Sequence, residues 1–147
     1  MEVRAAAPGD ADAVADAFIP SFESLSFLPT LHSHEEHRSY IRDRVTRGEV
    51  WVAIEGGRIV GMATLGNGVL GHLYVHPDAQ GQGAGSALLD RAKQLYPDGF
   101  TFWVFQQNDS ARGFYEHRGC RLVLLTDGSG NEERTPDALY EWRPDGR

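Results

Sequence analysis

The chain has 147 residues, 41% of them hydrophobic, with 21 acids against 14 Lys and Arg and a formal net charge of −7 at pH 7. That length supports one well-buried core and is short for two, which predicts a single domain over residues 1–147. No apolar run is long enough to cross a bilayer, Met1-Glu2-Val3-Arg4 does not open a signal peptide, and no basic stripe marks a nucleic-acid surface. A cytoplasmic protein with no membrane and no nucleic-acid partner is therefore expected.

Val3 to Ala7 reads as a first strand, and Pro8-Gly9 turns it into a helix from about Ala11 with Asp10 as its cap. Apolar and aromatic residues continue through Phe18, Phe22, Leu25, Phe27 and Leu28 to Pro29, as a broken helix or as a loop over a site. A second helix opens with the Ser33-x-x-Glu36 capping box and carries Tyr40, Ile41 and Val45 at helical spacing before Gly48. His34 and His37 share one of its faces, but the box accounts for the acid and no metal is expected. Val50 to Ile54 and Arg58 to Leu65 form a hairpin around Glu55-Gly56-Gly57, and Gly66-Asn67-Gly68 turns into a strand ending at Val75.

The stretch from His72 to Arg91 then runs from an alternating strand through Gly81, Gly83 and Gly85 into an amphipathic helix. Such a junction removes side chains where a ligand meets the backbone and offers an anion the free N–H groups and positive dipole end of a helix. A dinucleotide GxGxxG would need glycine at Ser86, and a P-loop would need a Lys-Ser/Thr pair that is absent. Phe100 to Phe105 reads as a buried strand, and Asn108-Asp109-Ser110 caps a helix carrying Ala111, Phe114 and Tyr115 that Gly119 ends. Arg121 to Leu125, a polar loop from Thr126 to Asp137 and a last strand from about Leu139 to Trp142 complete the chain. Cys120 stands alone, which excludes an internal disulfide and a paired-thiolate zinc site. Arginine outnumbers lysine thirteen to one, a bias associated with GC-rich bacterial genomes.

Two of these segments, in this order, carry a resemblance. Gln80-Gly81-Gln82-Gly83-Ala84-Gly85 is similar to the acyl-CoA signature Gln/Arg-x-x-Gly-x-Gly/Ala of the GNAT superfamily of N-acyltransferases. The run from Asn108 through Ala111, Phe114 and Tyr115 to Gly119 resembles its Asn-x-x-Ala-x-x-Phe-Tyr-x-x-x-Gly block. The resemblance implies an α/β (α+β) GNAT fold, a mixed central sheet flanked by helices and splayed around an acyl-CoA site. It implies acetyl-CoA as cofactor, with another acyl donor as the variant, and direct transfer to a small-molecule or peptide amine; it also makes a homodimer possible.

By the same resemblance, the backbone of Leu73, Tyr74 and Val75 pairs with the pantetheine arm. The N–H groups of Gln80, Gly81, Gln82, Gly83, Ala84, Gly85 and Ser86 take the pyrophosphate, Asn108 and Ala111 hold the arm from the other side, and Tyr115 is the general acid. Asn108 has a second reading as a plain helix cap. Relatives often place a carboxylate before the strand's Leu-x-Val, where this chain has Gly68-Val69-Leu70-Gly71-His72. The general base stays open, with His72 the strand-borne candidate beside a reading as a hydrogen-bonded strand histidine. For the amine, Glu133 and Asp137 of the late loop are candidates, followed by His34, Glu35 and Phe27. The net negative charge suits a cationic acceptor and equally suits plain solubility. An acyl-CoA-binding module or sensor without efficient turnover is the alternative function.

Overall fold

The computed structural model describes residues 1–145. Strands β1 (Glu2–Ala5), β2 (Val50–Glu55), β3 (Arg58–Gly66), β4 (Val69–Val75), β5 (Phe100–Phe105), β6 (Cys120–Leu125) and β7 (Asp137–Trp142) form one sheet in the order β1-β2-β3-β4-β5-β7-β6. Every neighbouring pair is antiparallel except β4 and β5. Helices α1 (Ala11–Glu23), α2 (His34–Thr46), α3 (Ala84–Leu95) and α4 (Asp109–His117) cover it. This is the mixed sheet flanked by helices that the sequence predicts.

Two hydrophobic clusters lie on opposite faces. Val14, Phe18 and Ile41 of α1 and α2 pack on Val50, Val52 and Met62, while Leu88, Leu89 and Ala92 of α3 and Tyr115 of α4 pack with Phe100, Phe102 and Tyr140. The sheet splits between these halves. β4 and β5 share a single register pair, Val69 with Thr101, with Thr101 N–H donating to Gly68 C=O at 3.2 Å. Beyond that pair the strands diverge, so the β5-facing edge of residues 70 to 75 has no strand partner.

The structure corrects three boundaries. β1 ends at Ala5, because Pro8–Asp10 form a 3-10 turn closed by the Asp10 carboxylate, which accepts from Ala7 N–H and from Arg4, both at 2.7 Å. Asp10 therefore serves that turn and makes no side-chain cap on α1. α1 itself runs through Pro20 to Glu23, which leaves residues 24–33 as the segment over the site. β7 begins at Asp137, two residues before the expected Leu139, because Asp137 still pairs with Phe105 of β5. The Ser33 capping box forms as read, with Glu36 N–H donating to Ser33 Oγ at 3.1 Å and Ser33 N–H to Glu36 Oε1 at 2.9 Å.

Candidate active site

Where β4 and β5 part, a cavity of about 670 Å³ opens, walled by residues 70–74 of β4 and 102–105 of β5. α4 presents Asn108, Ala111 and Tyr115 to it, the loop between β6 and β7 presents Ser129, Asn131 and Glu133, and α1 presents Phe22. A second cavity of about 260 Å³, lined by Leu25, Leu28, His32 and His37, shares Phe22 and Glu133 with the first. Among the described residues, no Lys or Arg lines either one.

Tyr115 stacks on Phe102 with ring centroids 4.4 Å apart, while its neighbour Phe114 lies under the Arg118 guanidinium at 3.9 Å and does not reach the cavity. Successive helix positions thus split the pair as helical geometry requires. Among the described residues the Tyr115 hydroxyl has no hydrogen-bond partner, and burial raises its pKa well above the ordinary phenol value. It stays protonated and available as a donor. Asn108 does what both of its readings require: its Oδ1 accepts from Ala111 N–H at 3.2 Å, which caps α4, and the residue also lines the cavity.

At the far end of the cleft the turn 80–83 leads into α3. Gly83 is the N-cap residue at φ +98°, a left-handed conformation that side chains resist, so this end of the helix has no capping side chain. The first intrahelical bond of the turn is from Ala87 N–H to Gly83 C=O at 3.0 Å, which leaves the N–H groups of Ala84, Gly85 and Ser86 without helical partners. Those free donors at a bare helix end fit a pyrophosphate. The side chains around them do other work. Ala84 is buried in the core, Ser86 Oγ accepts from Arg118 Nε at 2.9 Å, and Gln80 Nε2 donates to Val75 C=O at 3.1 Å.

A Cβ at Gly85 would meet the Phe114 ring at 3.2 Å, so this glycine also lets α3 approach α4 closely. Leu73 and Tyr74 line the cavity, but Val75 does not, and its carbonyl is already taken by Gln80. Gln80 to Ser86 are not among the residues that line this cavity.

His72 lies in the cleft wall among Phe18, Tyr40 and Tyr74, with Tyr40 Oη at 3.1 Å from its Nε2. Burial, reinforced by Arg44 and His37, pushes its pKa down to about 4. At neutral pH it is an uncharged, hydrogen-bonded strand histidine, and a weak acceptor for an ammonium proton. The two loop acids separate sharply. Asp137 is buried, with one oxygen accepting from Thr126 Oγ1 and the other from Asn131 Nδ2 at 3.0 Å, so it locks the loop. Glu133 is half-buried, and its carboxylate has no hydrogen-bond or ion-pair partner among the described residues. Its charge raises the Tyr74 phenol pKa further, in addition to the larger effect of burial.

The remaining acceptor candidates lie outside the cavities. His34 pairs with Glu23 at 2.9 Å and Glu35 with Arg42 at 2.7 Å on the exposed side of α2. Phe27 touches the rim only, edge-on to Phe105 at 5.9 Å. Sequence reasoning missed Phe22, Tyr40, Trp103 and the His32 to Glu132 contact of 2.5 Å that ties residues 24–33 to the late loop. Phe22 had a signal, one helical turn beyond Phe18, on which it stacks at 5.5 Å; the others depend on tertiary contacts.

Among known proteins, the model of the acetyltransferase (GNAT) domain family matches residues 46–119. The chain is 33% identical over 89 residues to the peptidyl-lysine N-acetyltransferase YjaB of Salmonella typhimurium, covering 60% of this chain and 61% of that protein. It is 31% identical over 104 residues to the peptidyl-lysine N-acetyltransferase YiaC of Escherichia coli, covering 69% of each. The matches span only 47% to 61% of the length of the first curated relatives. The solution structure of apo YjaB from Escherichia coli superposes over 96% of both chains with a TM-score of 0.79 at 22% identity, which is agreement of fold. The divergence of β4 from β5, the uncapped start of α3 and the family match over the residues that build both lead to one conclusion: this chain belongs to the GNAT acetyltransferase family.

Proposed function

We propose that the protein transfers an acetyl group from acetyl-CoA to the ε-amine of a lysine in a peptide or protein. Bound there, acetyl-CoA supplies the thioester whose acyl carbon the amine attacks. The free N–H groups of Ala84 to Ser86 would hold its pyrophosphate, and the unpaired edge of Leu73 and Tyr74 its pantetheine arm. Tyr115 Oη gives a hydrogen bond, and then a proton, to the departing sulfur.

Glu133 receives the acceptor as an ammonium ion. Among the described residues its carboxylate has no side-chain partner and no Lys or Arg lines the cleft, and that single observation carries the choice of a cationic acceptor. Phe22 and Tyr74, 5.9 Å apart, offer aromatic faces beside it. The lysine assignment draws on the relatives named above, whose acceptor is peptidyl lysine. With His72 uncharged, the attacking amine loses its proton to Glu133 or to solvent.

Thiol release from acetyl-CoA against a panel of lysine peptides, free lysine and small amines tests the reading. Turnover with lysine peptides at rates well above hydrolysis is the expected result. Tight acetyl-CoA binding with no acceptor-dependent release would instead establish a binding module without turnover.

A further inference from the structure

β4 changes face partway along its length. Thr64 of β3 pairs with His72 and Leu65 with Leu70, so Gly71 is an extra residue that bulges the strand. A Cβ on Gly71 would come within 2.5 Å of Thr64 Oγ1, which reserves the position for glycine. Plain alternation would put residues 70 and 72 on one face. Instead Leu70 packs with α3 and α4, while His72 turns toward α1 and α2, edge-on to Phe18 at 5.8 Å and to Tyr40 at 5.7 Å.

Hydrogen-bond counting shows how the ring is held. Tyr40 Oη has His72 Nε2, at 3.1 Å, as its sole partner among the described residues. A phenol donates better than it accepts, and the bare nitrogen of a neutral imidazole is a strong acceptor, so the Tyr40 proton lies toward Nε2. The Arg44 guanidinium, 5.0 Å from the Tyr40 ring centre and tied to Glu49 at 3.2 Å, favours that direction because its charge stabilises an electron-rich phenol oxygen. The ring hydrogen then sits on Nδ1. Nδ1 makes no hydrogen bond, and it is not sealed either: among the described residues Arg44 Nε is the one side-chain polar atom that is both buried and unpartnered. Nδ1 therefore opens on the cavity that His72 lines.

We propose that Tyr40 and His72 form a carbonyl-polarising pair, in which Tyr40 holds the imidazole in its Nδ1–H form and Nδ1–H donates to the oxygen of the acyl carbonyl. The assignment rests on the acetyl-transfer reading above and gives it a further catalytic residue. With the pyrophosphate at the start of α3 and the arm along Tyr74 and Leu73, the acyl end arrives at residues 70 to 72, where β4 parts from β5. As the amine nitrogen bonds to the acyl carbon, the C=O electron pair moves onto oxygen, where Nδ1–H meets it. That pair returns as the C–S bond breaks, the sulfur takes the Tyr115 proton, and the amine proton goes to Glu133 or to solvent. An uncharged donor suits this wall. An imidazolium would compete with the ammonium ion for Glu133, whereas the neutral ring polarises the carbonyl and leaves that acid free. His72 touches the reacting group; Tyr40 is a positioning residue, because it acts only through the ring.

Two-bond proton–nitrogen correlation of protein labelled with 15N-histidine reads the tautomer without turnover, and His72→Gln assigns the signal. At neutral pH the wild type is expected to show His72 with Nδ1 protonated and Nε2 bare, and Tyr40→Phe to shift the ring toward the Nε2–H form that free histidine prefers. Saturating acetyl-CoA should move the Nδ1 resonance, whereas coenzyme A, which lacks the carbonyl, should leave it near its position in the free protein. In thiol release His72→Phe should lower kcat roughly 100-fold and Tyr40→Phe roughly 10-fold with both KM values little changed, while His72→Gln, which keeps an N–H, retains more. A wild-type ring protonated at Nε2 overturns the inference. So do identical Nδ1 shifts with acetyl-CoA and coenzyme A, or an undiminished kcat in His72→Phe. Absence of any acceptor-dependent turnover would count against acetyl transfer alone, and the resonance comparison would still decide the role of the pair.

Discussion

His72 makes stability depend on pH in a predictable direction. Its pKa falls from 6.5 in the unfolded chain to about 4 in the fold, chiefly through burial. Between these values the unfolded chain binds a proton that the native protein refuses, so stability rises with pH through this window and is lost as pH falls from 6.5 toward 4. Fully developed, the loss is about 3 kcal/mol, and about 2 kcal/mol of it accrues between pH 7 and pH 5. Other groups titrate nearby. His32, whose pKa is raised by Glu132 and Glu36, works in the opposite sense, and His37, lowered by burial, in the same sense. Urea unfolding of the wild type and His72→Gln at matched pH values isolates the contribution. The stability difference between the two proteins should shift by about 2 kcal/mol in favour of the variant from pH 7 to pH 5. Parallel pH dependences would show that the native imidazole accepts a proton as readily as the unfolded one, and would reopen His72 as a base.

Tyr115→Phe keeps the packing on Phe102 and removes the donor, so turnover should fall by roughly 10- to 1000-fold while acetyl-CoA affinity barely moves; equal turnover refutes the assignment. Glu133→Gln should raise the KM for the amine and leave that for acetyl-CoA unchanged, with an effect that shrinks as salt screens charges beyond about 10 Å at 0.1 M; Asp137→Asn should instead lower the melting temperature, because it loosens the loop lock. Gly83→Ala and Gly85→Ala should separate. The first strains a turn at φ +98° and weakens coenzyme A binding by calorimetry, whereas the second sits at an ordinary helical φ, where a closer Phe114 contact offsets the gain in helix propensity, and leaves stability in urea within about 1 kcal/mol of the wild type.

The cofactor half of the cleft was legible because backbone builds it. Glycine spacing, a helix start and an Asn cap are local patterns, and each forms where the sequence places it. The packing of Gly85 against Phe114, 29 positions away and on another helix, has no local signal in the sequence. The acceptor half was legible only as a set of candidates. Glu133 and Asp137 look alike in sequence, and what distinguishes them is loop closure: Thr126 and Asn131 fold back onto Asp137 and leave Glu133 facing the cavity. No periodicity encodes that choice. His34 and Glu35 are acceptor candidates in the sequence, but the first turn of α2 directs them toward Glu23 and Arg42 instead.

How the phosphates are held bears on which acceptor is chosen. A clamp of Lys or Arg side chains at the same cleft would attract the one free carboxylate and repel an incoming ammonium ion. On the proposed reading the anion-binding groups are the N–H donors of a bare helix end, partial charges that act within about a turn of the helix and bring no mobile cation. His72 could have supplied positive charge from the strand, but burial keeps it neutral. Glu133 therefore shares the cleft with Phe22 and Tyr74 and has no cationic side-chain partner among the described residues. On the proposed reading, backbone N–H groups recognise the donor and the Glu133 side chain the acceptor, and a Lys or Arg introduced into the cleft wall would pair with Glu133 and compete with the incoming ammonium ion.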